Sequence, residues 1–228
     1  WNGIVVLQKK ADKSRWSHVV IRDTERSEYL GWATTGAVTF HRGSVRLQNV
    51  SIAHALAEDA LNIVSAQIAI NQLKIDDARS DAFDCDFCQG TLNGLQVSDI
   101  GGDGFDVSGS RVSIENSRFT NVKDKAISVG EGSNIRGKNL LFQDTGYAVV
   151  SKDGSSVQLD RIILKNIRDV GFMSYKKKSE YEGVENITAK DVKSEGEFTL
   201  SKSSTGSVIT IDGKITTNKE IDVEILYK

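Results

Sequence analysis

Two aspartates, Asp84 and Asp106, occupy equivalent places in a phrase that repeats every 22 residues, with Asn62 one copy before them and Ser128 one copy after. If successive copies stack as neighbouring strands, the two aspartate backbones lie only about 4.8 Å apart. Carboxylates that close raise one another's pKa or recruit a cation. With Lys125 as a nearby cation, Asp84 and Asp106 are also candidates for acid-base catalysis on a polysaccharide. We predict that Asn62, Asp84, Asp106 and Ser128 form a ligand-binding strip.

A simpler alternative assigns the acidic residues to structure. Asp81, Asp103 and Asp124 stand just before the repeated phrases, where aspartate commonly shapes tight turns. Asp84 and Asp106 are then only solvated side chains. The sequence leaves three alternatives open for this pair: solvated side chains, a metal site, or catalytic carboxylates.

The repeat that must position these residues is a ladder of small side chains, each of which opens the same short phrase. Its members are spaced by 22 or 23 residues: Ala37, Ala60, Ala82, Gly104, Ala126, Ala148 and Gly171. A second phrase in each turn has apolar residues at offsets 0, 2, 5 and 7, as in Val45, Leu47, Val50 and Ile52. Residues two apart share one face of a strand, and the gap of three marks a corner. The pattern predicts an all-β solenoid with three short strands per turn, a right-handed parallel β-helix.

The phase of the strands predicts which side chains face outward. Leu61, Phe83 and Phe105 share one phase and are apolar, so we expect them in the core. The opposite phase is expected to expose two columns, the small residues of the ladder and, beside them, Thr39, Asn62, Asp84, Asp106, Ser128, Val150 and Met173.

The corner between two strands of each turn carries asparagine in several copies. Asn49, Asn116 and Asn139 share offset 4 of the second phrase. Asparagine tolerates the left-handed backbone that such a corner needs, and its amide can bond to an amide in the next turn. We therefore interpret these asparagines as architectural.

Several phrases also carry a family resemblance, namely Glu58–Ile63, Ser80–Asp84, Asp103–Ser110 and Asp124–Ser133. They resemble the turns of right-handed β-helix proteins in the pectate-lyase-like superfamily, and most of all bacterial β-helix domains found in or beside spore-coat-protein-H-like kinase proteins. The resemblance implies an exported or cell-surface protein and, from uronate-binding members, a Ca²⁺ site at Asp84 and Asp106. The superfamily includes lyases, hydrolases, epimerases, adhesins and inert scaffolds. Because none of the catalytic signatures of its enzymes occurs here, the resemblance transfers no catalytic residue.

Composition excludes several classes of function. The 29 basic and 31 acidic residues leave a net charge of −2, so no overall positive field indicates a nucleic-acid partner. No segment reaches the roughly 18 consecutive apolar residues of a membrane-spanning helix. The sequence begins at Trp1 within a repeated phrase, so we expect it to be part of a larger chain.

The domain organisation follows from the repeat. We predict a parallel β-helix over residues 1–195, with an insertion near residues 22–35, and a strand-rich cap over residues 196–228. The insertion contains Tyr29 and Trp32, which either pack on the helix or form a wall on which a sugar ring stacks.

The two cysteines, Cys85 and Cys88, are the chain's only thiols. Cys85 falls on an inward phase, where cysteine behaves as a small apolar residue, so we expect buried free thiols. A local disulfide is the alternative. A zinc site would need two further ligands, and no context of a redox enzyme surrounds the pair.

Two classes of function follow. The first is a carbohydrate-binding or scaffold module with its ligand on the predicted strip. The second is a polysaccharide lyase or epimerase that acts on an anionic, uronate-containing polysaccharide, with Asp84, Asp106 and Lys125 as candidate catalytic residues. We favour the first, because carboxylates are present without a recognisable catalytic set.

Overall fold

A computed structural model describes residues 1–29, 32–216, 221 and 223. Two parallel sheets run the length of the molecule, and we number the strands in chain order. The short-strand sheet comprises β1 (Ile4–Leu7), β5 (Gly36–His41), β7 (Asp59–Val64), β9 (Asp81–Asp86), β11 (Phe105–Ser108), β13 (Lys125–Gly130), β15 (Tyr147–Lys152), β17 (Val170–Tyr175) and β19 (Thr199–Ser203). The long-strand sheet comprises β2 (Lys13–Thr24), β6 (Ser44–Ala55), β8 (Gln67–Ala78), β10 (Gln89–Ile100), β12 (Arg111–Val122), β14 (Asn134–Gln143), β16 (Ser156–Lys165), β18 (Asn186–Glu195), β20 (Val208–Ile211) and β21 (Lys214–Ile215).

Along the regular turns the chain alternates between the two sheets, and the strands of each turn pair in parallel with those of the next turn. The long strands from β2 to β18 bend at the predicted corner, where φ is positive at Asn49 (52°), Asn116 (50°) and Asn139 (54°). One short strand and one bent strand give three straight segments per turn. The all-β parallel solenoid predicted from the repeat is thus confirmed.

Amide ladders run along this corner. Asn139 Nδ2 donates to Asn116 Oδ1 at 2.9 Å, Asn116 donates to Asn93 at 2.7 Å, and Asn93 donates to Asn71 at 2.9 Å. Each bond joins one turn to the next on the exposed side of the corner. The architectural role predicted for Asn116 and Asn139 is therefore confirmed.

The core lies between the sheets and is filled as the offsets predict. Val45, Leu47, Val50 and Ile52 are each no more than 2 % exposed. Aromatic rings stack from turn to turn, with a centroid separation of 4.9 Å between Phe83 and Phe105. Burial of such apolar columns stabilises the fold at roughly 25 cal/mol per Å² removed from water.

The small-residue ladder lies inside the molecule, and the prediction that it faces outward was wrong. Its alanines are all 0 % exposed and belong to the same core cluster as Leu61. The cause is the tight corner at which the long-strand sheet meets the short-strand sheet. A Cβ on Gly104 would approach the Phe119 ring to 2.8 Å, so this position points toward a core side chain of β12, the long strand that follows it.

The second predicted outer column is covered at one end. Val150 and Met173 are 0 % and 2 % exposed, and with Val170 and Tyr175 they form an apolar cluster separate from the main core. Ile221 and Val223 pack against this cluster. Residues near the end of the sequence therefore cover the outer face of β15 and β17.

Cys85 and Cys88 form a disulfide, so the expectation of free thiols was wrong. Cys85 ends the inward row of β9, and the left-handed backbone of Phe87 (φ 54°) turns the chain sharply after it. The turn brings the two Cα atoms to 5.8 Å, a separation that a disulfide spans. Both cysteines are 0 % exposed.

Two segments depart from the regular turns. The predicted insertion contains an antiparallel hairpin of β3 (Glu28–Tyr29) and β4 (Trp32–Ala33), but the side chains of Tyr29 and Trp32 lie outside the described part, so the sugar wall stays a prediction. Beyond residue 196, β19 and β20 each extend one sheet in parallel, and β21 pairs antiparallel with β20. The proposed start of the cap at residue 196 stays a prediction. Apart from residues 221 and 223, the chain after residue 216 lies outside the description.

Candidate functional site: the aspartate strip

Strand register places the four predicted residues in one row across the short-strand sheet. Asn62 on β7 pairs with Asp84 on β9, Asp84 pairs with Asp106 on β11, and Asp106 pairs with Ser128 on β13. We call this row the aspartate strip. The structure thus brings together the residues that the 22-residue period predicted as neighbours.

The four residues differ in how far a ligand can reach them. Asp84 and Asp106 are partly exposed, whereas Asn62 is 5 % and Ser128 0 % exposed. Asn62 Nδ2 donates to Asp84 Oδ2 at 3.0 Å, so this amide orients the carboxyl group. The Ser128 hydroxyl is buried without a hydrogen-bond partner among the described residues. A ligand on the strip therefore meets Asp84 and Asp106 first.

The Asp84 carboxyl group holds its proton at neutral pH. Burial and, to a smaller extent, the nearby carboxylates of Asp86, Asp59 and Asp106 together raise its pKa to about 9. The pKa of Asp86 is also raised, first by burial and then by Asp106 and Glu131. Asp84 can accordingly act as a hydrogen-bond donor and as a source of a proton.

A second acidic row lies beside the strip, where the chain enters the short strands. Burial raises the pKa values of Asp59 and Asp81 to about 6 and that of Asp103 to about 7. Asp81 Oδ1 accepts the Asp103 backbone N–H at 2.7 Å, and Asp103 Oδ1 accepts the Lys125 N–H at 2.9 Å. Each of these two carboxylates therefore joins its own turn to the next. These bonds link successive turns of the solenoid, and the tight-turn role considered for Asp81 and Asp103 stays a prediction.

Lys125 forms an ion pair with Asp103 of this second row. It is 8 % exposed, and its Nζ contacts Asp124 and lies 3.4 Å from Asp103 Oδ1. Its ammonium group offsets the charge of the turn carboxylates and lowers the pKa that burial gives Asp103. The catalytic role suggested for Lys125 beside Asp84 and Asp106 stays a prediction.

Among the described residues, the group of carboxylates that could hold a cation includes Asp106 of the predicted metal pair and leaves out Asp84. Carboxylate oxygens of Asp81, Asp103 and Asp106 lie within 4.8 Å of one another. Oxygen ligands of this kind suit Ca²⁺. However, Asp81 and Asp103 already accept backbone hydrogen bonds, and the Lys125 ammonium competes at Asp103. Sequence analysis missed this grouping, although the 22-residue spacing of Asp81 and Asp103 could have indicated it.

The fold and the repeat place the chain among the β-solenoid proteins. Comparison with known families identifies which family of solenoids this is. The sequence model of the right-handed β-helix region matches residues 81–222. The chain belongs to this right-handed β-helix family. No curated protein matches its sequence.

Among solved structures, the chain is similar to catalytic domains of a GH87 α-1,3-glucanase. The complex with nigerose has a TM-score of 0.38 and 10 % identity over 91 % of this chain and 58 % of that chain. A variant in complex with tetrasaccharides has a TM-score of 0.42 and 10 % identity, with the same coverage of 91 % and 58 %. The chain thus spans less than two thirds of the length of either structure.

The described residues include no helix that is long and apolar enough to cross a membrane.

Proposed function

We propose that this chain is a carbohydrate-binding β-helix module that holds a glycan on the aspartate strip. The observation that carries the proposal is the row of Asp84 and Asp106, which are in register, partly exposed and on one outer face. Asn62 fixes the Asp84 carboxyl group through a hydrogen bond of 3.0 Å. A protonated carboxyl next to an acceptor oxygen suits a sugar hydroxyl, which both donates and accepts.

Charge favours a neutral glycan at this strip. Asp86, Asp81 and Asp103 add acidic groups around Asp84 and Asp106. A uronate polymer would bring further carboxylates into a region that already holds several. Lys125, which could have offset them, is engaged with Asp103 and Asp124.

One observation favours the enzymatic alternative, a lyase or epimerase that acts on an anionic polysaccharide. A carboxyl group with a pKa of about 9 beside another carboxylate is an arrangement found at sites of proton transfer. In that case Asp84 would exchange the proton and Asp106 would act as its partner. Lyase action produces an unsaturated uronate, which absorbs ultraviolet light.

The proposal also covers the location of the module and the larger protein that contains it. The resemblance noted in the sequence supports an exported or cell-surface location in a bacterium, within a larger protein that is related to the pectate-lyase-like superfamily and associated with spore-coat-protein-H-like proteins.

Substitution of the strip tests the proposal. We expect Asp84→Asn and Asp106→Asn each to weaken binding to neutral glycans on an array about tenfold or more, because each alters a hydrogen-bonding group at the site. Asp160→Asn on the outer face of β16 is the matched control and should bind as the unchanged chain does. An array without signal for any glycan would refute carbohydrate binding.

The same variants test the enzymatic alternative. Lyase activity would give rising ultraviolet absorbance with anionic polysaccharides, and the absorbance change would disappear in both strip variants. A flat trace for the unchanged chain over the whole panel would exclude lyase action on those polymers.

A further inference from the structure

A second surface with binding chemistry lies at the corner where the long strands β2, β6 and β8 end. The residues that follow these strands are Glu25, Leu56 and Arg79. Because Thr24 pairs with Ala55 and Ala55 pairs with Ala78, these three residues occupy equivalent positions in successive turns. They form a column with a carboxylate, an apolar side chain and a guanidinium at steps of about 4.8 Å.

Two clefts meet at this column. One has a volume of about 820 Å³ and also includes Arg26, Thr34 and Glu58. The other has a volume of about 580 Å³ and also includes Trp1 and His54. Both clefts are lined by Glu25, Leu56 and Arg79, so the column is their common wall.

The common wall presents apolar surface to solvent. Leu56 is 56 % exposed, and Trp1 in the second cleft is 58 % exposed. The Trp1 indole Nε1 donates to the Arg22 carbonyl at 2.7 Å, which fixes the ring in place. A fixed aromatic ring beside an exposed leucine is a suitable platform for the apolar face of a sugar ring.

Arg79 supplies a cation that, among the described residues, forms no ion pair. Its side chain is exposed. Of the other charged groups nearby, Arg26 pairs with Glu28, and His54 Nδ1 lies 2.6 Å from Asp77 Oδ2. The guanidinium is therefore available for a ligand carboxylate, which it can bind through two parallel hydrogen bonds.

We propose that this corner is a second carbohydrate site, specific for a sugar that carries a carboxylate. A hexuronate places its carboxylate on Arg79 and its apolar ring face over Leu56, while Glu25 accepts hydrogen bonds from hydroxyl groups further along the cleft. The site is distinct from the aspartate strip and does not depend on it. Glu25 and Glu58 would repel additional carboxylates, so the cleft favours a sugar with one acidic group over a polyacidic peptide.

Isothermal titration with a matched pair of disaccharides tests the proposal. The probes are cellobiouronic acid, which has one carboxylate, and cellobiose, which has a hydroxymethyl group in its place. We expect the unchanged chain to bind the acid at least about tenfold more tightly, and Arg79→Gln to lose that difference. Arg118→Gln, on the outer face of β12, is the matched control and should behave as the unchanged chain does. Arg79→Lys should recover only part of the preference, since it keeps the charge and loses the bidentate geometry.

Three results would overturn the site: equal affinity for the two disaccharides, unchanged affinity in Arg79→Gln, or equally tight binding of a triglutamate peptide. Because Arg79 is exposed, its substitution should leave the melting temperature unchanged, so a loss of binding can be separated from unfolding. Asp84→Asn should keep full affinity for cellobiouronic acid. Failure of the aspartate strip and failure of this corner are thus distinguishable.

Discussion

Gly104 stands directly before the segment that carries Asp106, and its missing side chain makes room for the core. The equivalent residues one turn away are Ala82 and Ala126, which are both fully buried. At Gly104 a Cβ would lie 2.8 Å from a Phe119 ring atom and 2.7 Å from the Ala126 carbonyl oxygen. The Phe119 ring and the Ala126 carbonyl oxygen therefore occupy the space that a methyl group at residue 104 would need.

Gly104→Ala should destabilise the protein. The added methyl group would force Phe119 or the neighbouring backbone to shift, at a cost of about 1–3 kcal/mol. Gly130→Ala is the matched control, because its Cβ would have no neighbour closer than 3.6 Å. We expect urea denaturation to show a lower midpoint for Gly104→Ala and a nearly unchanged midpoint for Gly130→Ala. Equal midpoints would refute the steric explanation.

At the scale of single residues, the sequence predicted neighbours better than side-chain directions. The 22-residue period alone predicts that Asp84 and Asp106 adjoin, and the register confirms it. It does not predict that Lys125 turns toward Asp103, because that direction depends on a rotamer and on the local charges. The Cys85–Cys88 disulfide depends on the backbone at Phe87, which spacing does not reveal.

At the scale of elements, β15 and β17 differ from the strands before them. Their outward column holds Val150 and Met173, where β7, β9 and β11 hold Asn62, Asp84 and Asp106. An apolar side chain at an outward position of a strand indicates that another element covers it. Ile221 and Val223 supply part of that cover.

Ile221→Ser combined with Val223→Ser should destabilise the protein by about 1–3 kcal/mol, because the substitutions remove apolar contacts from Val150 and Met173. Dye binding that reports exposed apolar surface should increase at the same time. Ile215→Ser is the control, since Ile215 is already 75 % exposed and should be nearly neutral. Unchanged stability and dye binding in the double variant would contradict the covering role.

The strands and corners could be predicted because each turn repeats the same apolar offsets. The packing of Ile221 and Val223 on the outer face of β15 and β17 could not be predicted in this way. Residues 221 and 223 follow no period, so no pattern indicates which face they meet. The change from polar to apolar residues at Val150 and Met173 was the available signal that this part of the outer face is buried. The inward direction of the alanine ladder was missed for a related reason, since alternation along a strand fails at the tight corner before it.

At the scale of the whole molecule, buried acidic groups make stability depend on pH. The folded protein raises the pKa of Asp84 to about 9, of Asp103 to about 7, and of Asp59 and Asp81 to about 6, above the ordinary value of 3.8. Between pH 4 and these values the folded chain holds protons that the unfolded chain has released. The free energy of unfolding must therefore fall as pH rises through this range.

We expect urea denaturation at constant ionic strength to give the highest stability at about pH 5 and a loss on the order of a few kcal/mol by about pH 9. Below that maximum the free energy of unfolding changes in the opposite direction. Hydrogen bonds and lysine contacts hold the pKa values of Glu131 and Glu185 below the usual 4.5, so protonation of these two groups lowers stability as the pH falls. Asp84→Asn should flatten the slope between pH 5 and pH 9 and raise stability at pH 8. A stability that increases with pH over that interval would refute the assignment.

The uniform register of the two sheets also has a mechanical consequence. Hydrogen bonds between turns run along the solenoid axis, and neighbouring turns are joined by strand pairs in the same register along the regular part. A force that pulls the two ends of the solenoid apart would load these bonds lengthwise and peel off one turn after another. Each step would release about 22 residues, or roughly 75 Å of extended chain. The protein would extend in a series of steps of nearly equal length.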